Sequence, residues 1–327
     1  MRILFAGTPE IALPSLSALS EAHDVVAVLT NPDKPRGRKS TPEPPPVKEL
    51  ALDLGVPVLQ PARLGSEARE MVAVHEPDLL VVVAYGRIFG PKFLALFPRG
   101  GINLHPSLLP RYRGPAPIPA AILAGDSETG ITVQTLAQEM DAGDILMQVR
   151  IPLTGTETTP DLTDRASRLG ASMLVDVVDQ LEEDEIEPRP QNHDNATYTN
   201  MIDKSDGLVD WSATADEIYR AYRAYQPWPG IRTTFEGSGL SLLEVAPVDA
   251  SVDASVDPST DASGTEQVDS GPEPGTVLKL DKRLGILVQT GDGLLALRRL
   301  QLQSRKALDY MSFAHGTRGF LGTRLGG

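Results

Sequence analysis

Cysteine is absent from the sequence, which excludes disulfides, thiolate nucleophiles and cysteine-ligated zinc. Lysine is scarce, supplying 8 of the 30 basic residues; the rest are arginine, the better fork for phosphate. No run approaches the roughly 18 uninterrupted apolar residues of a membrane span. Gly7-Thr8-Pro9-Glu10 cuts the opening apolar segment too short for a signal peptide, so that segment reads as a first buried strand. A cytoplasmic protein with no membrane partner is expected. The nucleotide fingerprints are missing as well. The first turn has no G-x-G-x-x-G, and Gly37-Arg38-Lys39-Ser40 is only a fragment of a Walker A motif. The five histidines (23, 75, 105, 193 and 315) show no metal-ligand spacing. Neither a nicotinamide cofactor nor a metal is expected.

What is present is ample for two domains: 327 residues, 41% of them hydrophobic. The net charge of −14 argues against a nucleic-acid partner, unless the acid is segregated. It is. Seven acidic and no basic residues fall in 248–274, whereas 276–327 carries nine basic against three acidic residues. The acidic stretch repeats Val-Asp-Ala-Ser tetrapeptides, a composition that cannot bury a core and reads as a disordered insert.

Residues 1–188 alternate strand and helix, which implies a doubly wound, mostly parallel sheet with its ligand edge at the strand carboxyl ends. Thr8-Pro9 reads as a helix start with Thr8 as cap. Leu79–Ala84 is a continuous apolar run, the pattern of a central strand covered on both faces. Thr159 to about Glu183 reads as one long amphipathic helix. Residues 189–208 read as a linker. Residues 209–327 carry a helical segment and then short strands with glycine turns, the pattern of a small β-barrel. The loop 31–46 holds Lys34, Arg36, Arg38 and Lys39 ahead of a proline cluster. A loop this long is either solvated and mobile or functional, the functional reading being an arm on an anionic backbone.

Asn103 and His105, two apart at the end of a strand, project to one face. A donor able to polarise a carbonyl beside a titratable ring suits acyl transfer; the pair is equally at home as turn polar residues. Asp141, before Ala142-Gly143, could bring a carboxylate to the same edge or be a simple turn aspartate.

The run His105-x-Ser107-Leu108-Leu109-Pro110-x-x-x-Gly114, with Asn103 upstream and Asp141-x-Gly143 downstream, resembles the 10-formyltetrahydrofolate-dependent formyltransferases. Phe5-Ala6-Gly7-Thr8-Pro9, Val82–Gly86, Asp210-Trp211-Ser212 and Gln226-Pro227-Trp228-Pro229 extend the likeness along nearly the whole chain, toward the tRNA-acting members. The resemblance implies that Asn103, His105 and Asp141 form a catalytic trio. It also implies a folate pocket lined by Ser107, Leu108, Leu109, Pro110, Tyr85 and Gly86. The activity it implies is transfer of the formyl group of 10-formyltetrahydrofolate to the α-amine of methionine on charged initiator tRNA, by a monomer without metal. It further implies an OB-like C-terminal domain that helps hold tRNA, where Arg298, Arg299, Arg305 and Lys306 supply basic charge. Pro106 departs from the small residue more familiar at that place. The competing expectations are a sugar-nucleotide formyltransferase, a formyl-folate hydrolase using the same trio, and a non-catalytic RNA-binding module.

Overall fold

The computed structural model describes residues 1–35, 41–248 and 272–326. It divides into two compact units, Met1–Ala121 with Asp126–Met201, and Ile122–Gly125 with Ile202–Gly327. Up to α6 the elements in chain order are β1 (Arg2–Gly7), α1 (Leu13–Ala22), β2 (Asp24–Leu29), the two-residue strands β3 (Lys34–Pro35) and β4 (Pro42–Glu43), α2 (Pro46–Asp53), β5 (Val58–Leu59), α3 (Ser66–Ala73), β6 (Leu79–Val83), α4 (Pro91–Leu94), β7 (Gly101–His105), α5 (Pro117–Ala124), β8 (Glu128–Thr135), β9 (Ile145–Pro152) and α6 (Thr159–Glu182).

Seven strands form one sheet in the order β5-β2-β1-β6-β7-β8-β9. The pairs from β5 to β7 are parallel, and β8 and β9 add an antiparallel margin. The apolar run Leu79–Val83 occupies the middle position, buried along its whole length, as a strand covered on both faces must be. Leu4, Ala6, Leu80 and Val82 pack with Ala68 and Val72 of α3 and Phe93 of α4. On the other face α6 packs against α1, and Gly170 sits where a Cβ would strike Leu104 of β7. The strand β9 was not marked by the sequence pattern, because Gln148 and Arg150 interrupt its apolar run, and Val149 and Arg150 are exposed at the sheet margin.

The helix start expected at Thr8 is absent. A 3-10 turn, Glu10–Ala12, precedes α1, whose first turn is fixed by Pro14. Thr8 Oγ1 instead accepts a hydrogen bond from Asn31 Nδ2 at 3.0 Å, and the same nitrogen donates to the Tyr85 carbonyl at 3.0 Å. One amide thus ties together the carboxyl ends of β1, β2 and β6. Helix α6 starts on a full capping box, Thr158 with Asp161.

The second unit contains α7 (Ala215–Ala224), β10 (Ile231–Phe235), β11 (Ser238–Pro247), β12 (Val277–Asp281), β13 (Gly285–Gln289), β14 (Leu294–Leu302), β15 (Leu308–Asp309) and α8 (Tyr310–Gly316). Its strands form an antiparallel sheet in the order β10-β11-β14-β13-β12, with β15 on β14. Trp211, Ile218 of α7 and Phe313 of α8 close over its apolar face. Of the acidic insert at 248–274, residues 249–271 lie outside the described residues. Among the described residues no helix is long and apolar enough to cross a membrane.

The segment read as a linker, 189–208, is part of the first unit as far as Met201. Arg189 and Ile145 exchange both backbone hydrogen bonds, at 2.8 and 2.9 Å. Gln191 is buried, and Thr197 and Thr199 bond to the backbone of Arg113. Its proline, asparagine and aspartate content disguises a strand-like strap.

Candidate active site

Strand alternation puts Asn103 and His105 on one face of β7, with Leu104 turned the other way toward α6. In the antiparallel ladder Asn103 stands opposite Gln134 and His105 opposite Thr132. The chain then leaves β8, turns through Asp141 and returns as β9, which brings the carboxylate back to the same edge. His105 Nδ1 is 3.6 Å from Asp141 Oδ2, and Asn103 Nδ2 is 3.4 Å from Asp141 Oδ1. The three expected residues are therefore together. The His105 and Asp141 side chains are 6% and 15% exposed, so their interaction is shielded from bulk water.

The carboxylate is held from several directions. The Gly114 N–H donates to Oδ2 at 2.8 Å, and Gln134 Nε2 donates to Oδ1 at 3.1 Å. Asp141 adopts φ +53, a left-handed conformation that a non-glycine residue keeps only under constraint. Gly143 two residues on admits no side chain, since a Cβ would stand 1.7 Å from the Thr135 carbonyl oxygen. His105 Nε2 is 2.8 Å from the carbonyl oxygen of Tyr112, itself at φ +60. The Tyr112 phenol donates to Asp126 at 2.7 Å. Burial, together with that bond, pushes its pKa up to about 12. Pro106 is accommodated in the turn after β7, where the Ser107 N–H bonds the His105 carbonyl.

The residues expected to line a folate pocket divide into two groups. Ser107 is fully buried and its hydroxyl donates to the Arg111 carbonyl at 2.6 Å, closing the turn. Leu109 is buried in the core, and Tyr85 stacks on Phe89 with ring centroids 5.4 Å apart. Burial raises the Tyr85 phenol above its ordinary range. Those three side chains serve the scaffold. Leu108 and Pro110 are half-buried, and Gly86 is exposed with open space where a Cβ would stand. Ala84, at φ +49, is exposed beside it.

Of the expected basic residues, Lys34 is exposed on β3, while Arg36, Arg38 and Lys39 lie outside the described residues. The root of that loop is pinned, since Lys48 Nζ contacts both Asp33 oxygens at 2.9 and 2.8 Å. That bond and one from Gln60 hold the Asp33 carboxyl below its usual range. In the second unit, Arg298 and Arg299 ought to face opposite ways by strand alternation. They do not, because the β11–β14 register slips there: Arg299 opposes Glu244 while Leu297 opposes Val245. Leu295 and Leu297 point inward before the slip and Leu300 after it, so the bulge turns both arginines outward. Arg305 and Lys306 are exposed in the turn between β14 and β15.

Sequence reasoning passed over Gln134, Gln191, Tyr112 and Arg113. All four lie in the hydrogen-bonded shell behind the trio; only Gln134, a polar residue inside the apolar strand β8, carried a hint of it. Among the described residues no group of three or more His, Asp or Glu is placed to hold a metal ion.

A formyl transferase family model matches residues 1–178, and a formyl transferase C-terminal domain model matches 201–318. The chain is 44% identical to a methionyl-tRNA formyltransferase of Treponema denticola, over 98% of each. It is 41% identical to one of Roseiflexus castenholzii, over 100% of this chain and 99% of the relative. Among solved structures it resembles a sugar 3N-formyl transferase, WlaRD, with a TM-score of 0.62 at 16% identity, covering 94% of this chain and 99% of that one. HypX from Aquifex aeolicus, solved with tetrahydrofolic acid, matches with a TM-score of 0.61 at 17% identity, over 99% of this chain and 48% of that one. At such identities the structural likenesses speak to the fold.

Proposed function

The chain belongs to the formyl transferase family, in its methionyl-tRNA formyltransferase branch, and from that premise we propose how its residues carry the transfer. It is an enzyme that moves a formyl group from a folate-type donor to the α-amine of methionine esterified to tRNA. The donor in our reading is 10-formyltetrahydrofolate, and the acceptor is the charged initiator tRNA. The open backbone edge at Ala84 and Gly86, with Leu108 and Pro110, offers the donor its seat.

The amine attacks the formyl carbon, and charge grows on the formyl oxygen. Asn103 Nδ2 keeps one N–H for that oxygen, its contact to Asp141 being long at 3.4 Å. Such a donor is worth about 10²–10³ in rate. The Asp141 carboxylate and His105 Nδ1 form the relay that takes the proton from the attacking nitrogen and returns it to the departing folate nitrogen. The carrying observation is the convergence of Asn103 Nδ2 and His105 Nδ1 on the two oxygens of Asp141.

Arg298 and Arg299 on the bulge, Arg305 and Lys306 on the adjoining turn, and Lys34, Arg36, Arg38 and Lys39 on the first unit's loop contact the tRNA phosphates in this reading. A charged tRNA substrate also implies work in the cytoplasm. The relatives at 41–44% identity disfavour an amino-sugar nucleotide as acceptor. The test supplies 10-formyltetrahydrofolate with methionyl-initiator tRNA, with an amino-sugar nucleotide, or with buffer alone. Formyl-methionyl-tRNA should form in the first arm only. Transfer to the sugar, or donor hydrolysis matching the tRNA rate, overturns the assignment.

A further inference from the structure

We infer that Gln191 is a positioning residue that sets the distance between His105 and Asp141. The inference rests on the role proposed for Asp141 above. Gln191 is 5% exposed, and its amide is fully engaged. Its nitrogen donates to the carbonyls of Asp141 at 2.9 Å and Gly143 at 2.7 Å, and lies 3.2 Å from Gln134 Oε1. Its oxygen accepts from Arg113 Nε at 3.2 Å and from the second guanidinium nitrogen at 2.7 Å. One side meets only acceptors and the other only donors, which fixes the amide's orientation.

The two carbonyls belong to the turn that holds Asp141 in its left-handed conformation, so one amide clamps that turn from behind. The other end of the clamp is Arg113, 1% exposed. The Tyr198 hydroxyl, 3.0 Å away, and His193 Nδ1, 3.2 Å away, hold it as well. Arg113 lies between the two residues that grip the site: Tyr112, whose carbonyl meets His105 Nε2, and Gly114, whose N–H meets Asp141 Oδ2. Gln191 therefore cross-links the turn after β7 to the turn before β9. The chain reaches back from beyond α6 to do this, with a residue that touches neither substrate nor reacting atom.

The test compares Gln191→Ala and Gln191→Glu, alone and with Asp141→Asn, by kcat, KM for each substrate and thermal unfolding. Gln191→Glu keeps the acceptor for Arg113 but loses the donation to both carbonyls, so it reports on the clamp if Gln191→Ala fails to fold. In a folded Gln191 variant kcat should fall by about 10²-fold, with KM for tRNA and donor within about twofold. Added to Asp141→Asn, the same change should cost less than about twofold more, because residues acting as one unit are not additive. Wild-type kcat in either folded variant, or losses that multiply in the double variant, overturns the inference. If Asp141→Asn itself turns over normally, the trio reading falls first, and separately.

Discussion

The carbonyl oxygen of Tyr112 stands 2.8 Å from Nε2 of His105. A carbonyl can only accept, so Nε2 carries a proton and Nδ1, facing Asp141, is the nitrogen free to gain or lose one. Nitrogen-15 NMR of the imidazole should show a protonated Nε2 at neutral pH, and a protonated Nδ1 beside a bare Nε2 would contradict the arrangement. His105→Gln should lower kcat by about 10²-fold or more while the protein keeps its thermal transition.

The side chain of Tyr112 makes a separate prediction. Its phenol, pushed up to about 12, sits above the unfolded value of about 10. The stability it contributes is therefore complete below about pH 10 and is lost as pH rises from there toward 12. Tyr112→Phe removes the bond to Asp126 and should cost about 1 kcal/mol at neutral pH, since the carbonyl that meets His105 remains. In an ultraviolet phenolate titration the variant should lack the component near pH 12 that the parent shows. An identical titration curve would refute the environment described.

Gly143→Ala forces a methyl to within 1.7 Å of the Thr135 carbonyl oxygen, so the turn at Asp141 has to move. A loss of about 1–3 kcal/mol in urea unfolding is expected, with turnover falling further than stability alone accounts for. Gly316→Ala, at the end of α8 with nothing within 4 Å, is the contrasting case and should be neutral or slightly stabilising. Equal effects at the two glycines would mean that steric room is not what distinguishes them.

Arg299 tests the proposed tRNA-binding surface more cleanly than Arg298, whose Nε also donates to the Leu284 carbonyl at 3.2 Å. Arg299→Ala should raise KM for tRNA, leave kcat unchanged, and reduce the salt slope of tRNA binding by about one. A slope that does not change would take Arg299 off the contact surface.

The sequence disclosed the parts of this molecule that obey a period. Leu79–Val83 reads as the sheet centre because burial on both faces leaves no polar alternation. Asn103 and His105 read as a pair because alternate residues share a face. Gln191 was illegible: its partners, Arg113 and Asp141, are remote in sequence, and its neighbours have the composition of a linker. Arg298 and Arg299, read together as basic charge, share one side only because a bulge breaks the strand alternation, and no period discloses a bulge. Tyr85 was placed at the correct edge, but its ring turns into the core, and nothing short of packing could decide between the two sides.

Tyr112, Arg113 and Gly114 are consecutive, and the outer two hold His105 and Asp141 by backbone atoms alone. The spacing of the two groups is thus set along a main-chain ruler that spans one residue, Arg113, and is shorter than the roughly 7 Å between the flanking Cα atoms. Side-chain exchanges within the tripeptide can weaken the ruler's supports but cannot recalibrate it. Adding or removing one residue there would shift the gauge by about 3.8 Å, so in this chain the tripeptide cannot change length without parting its grip on the pair.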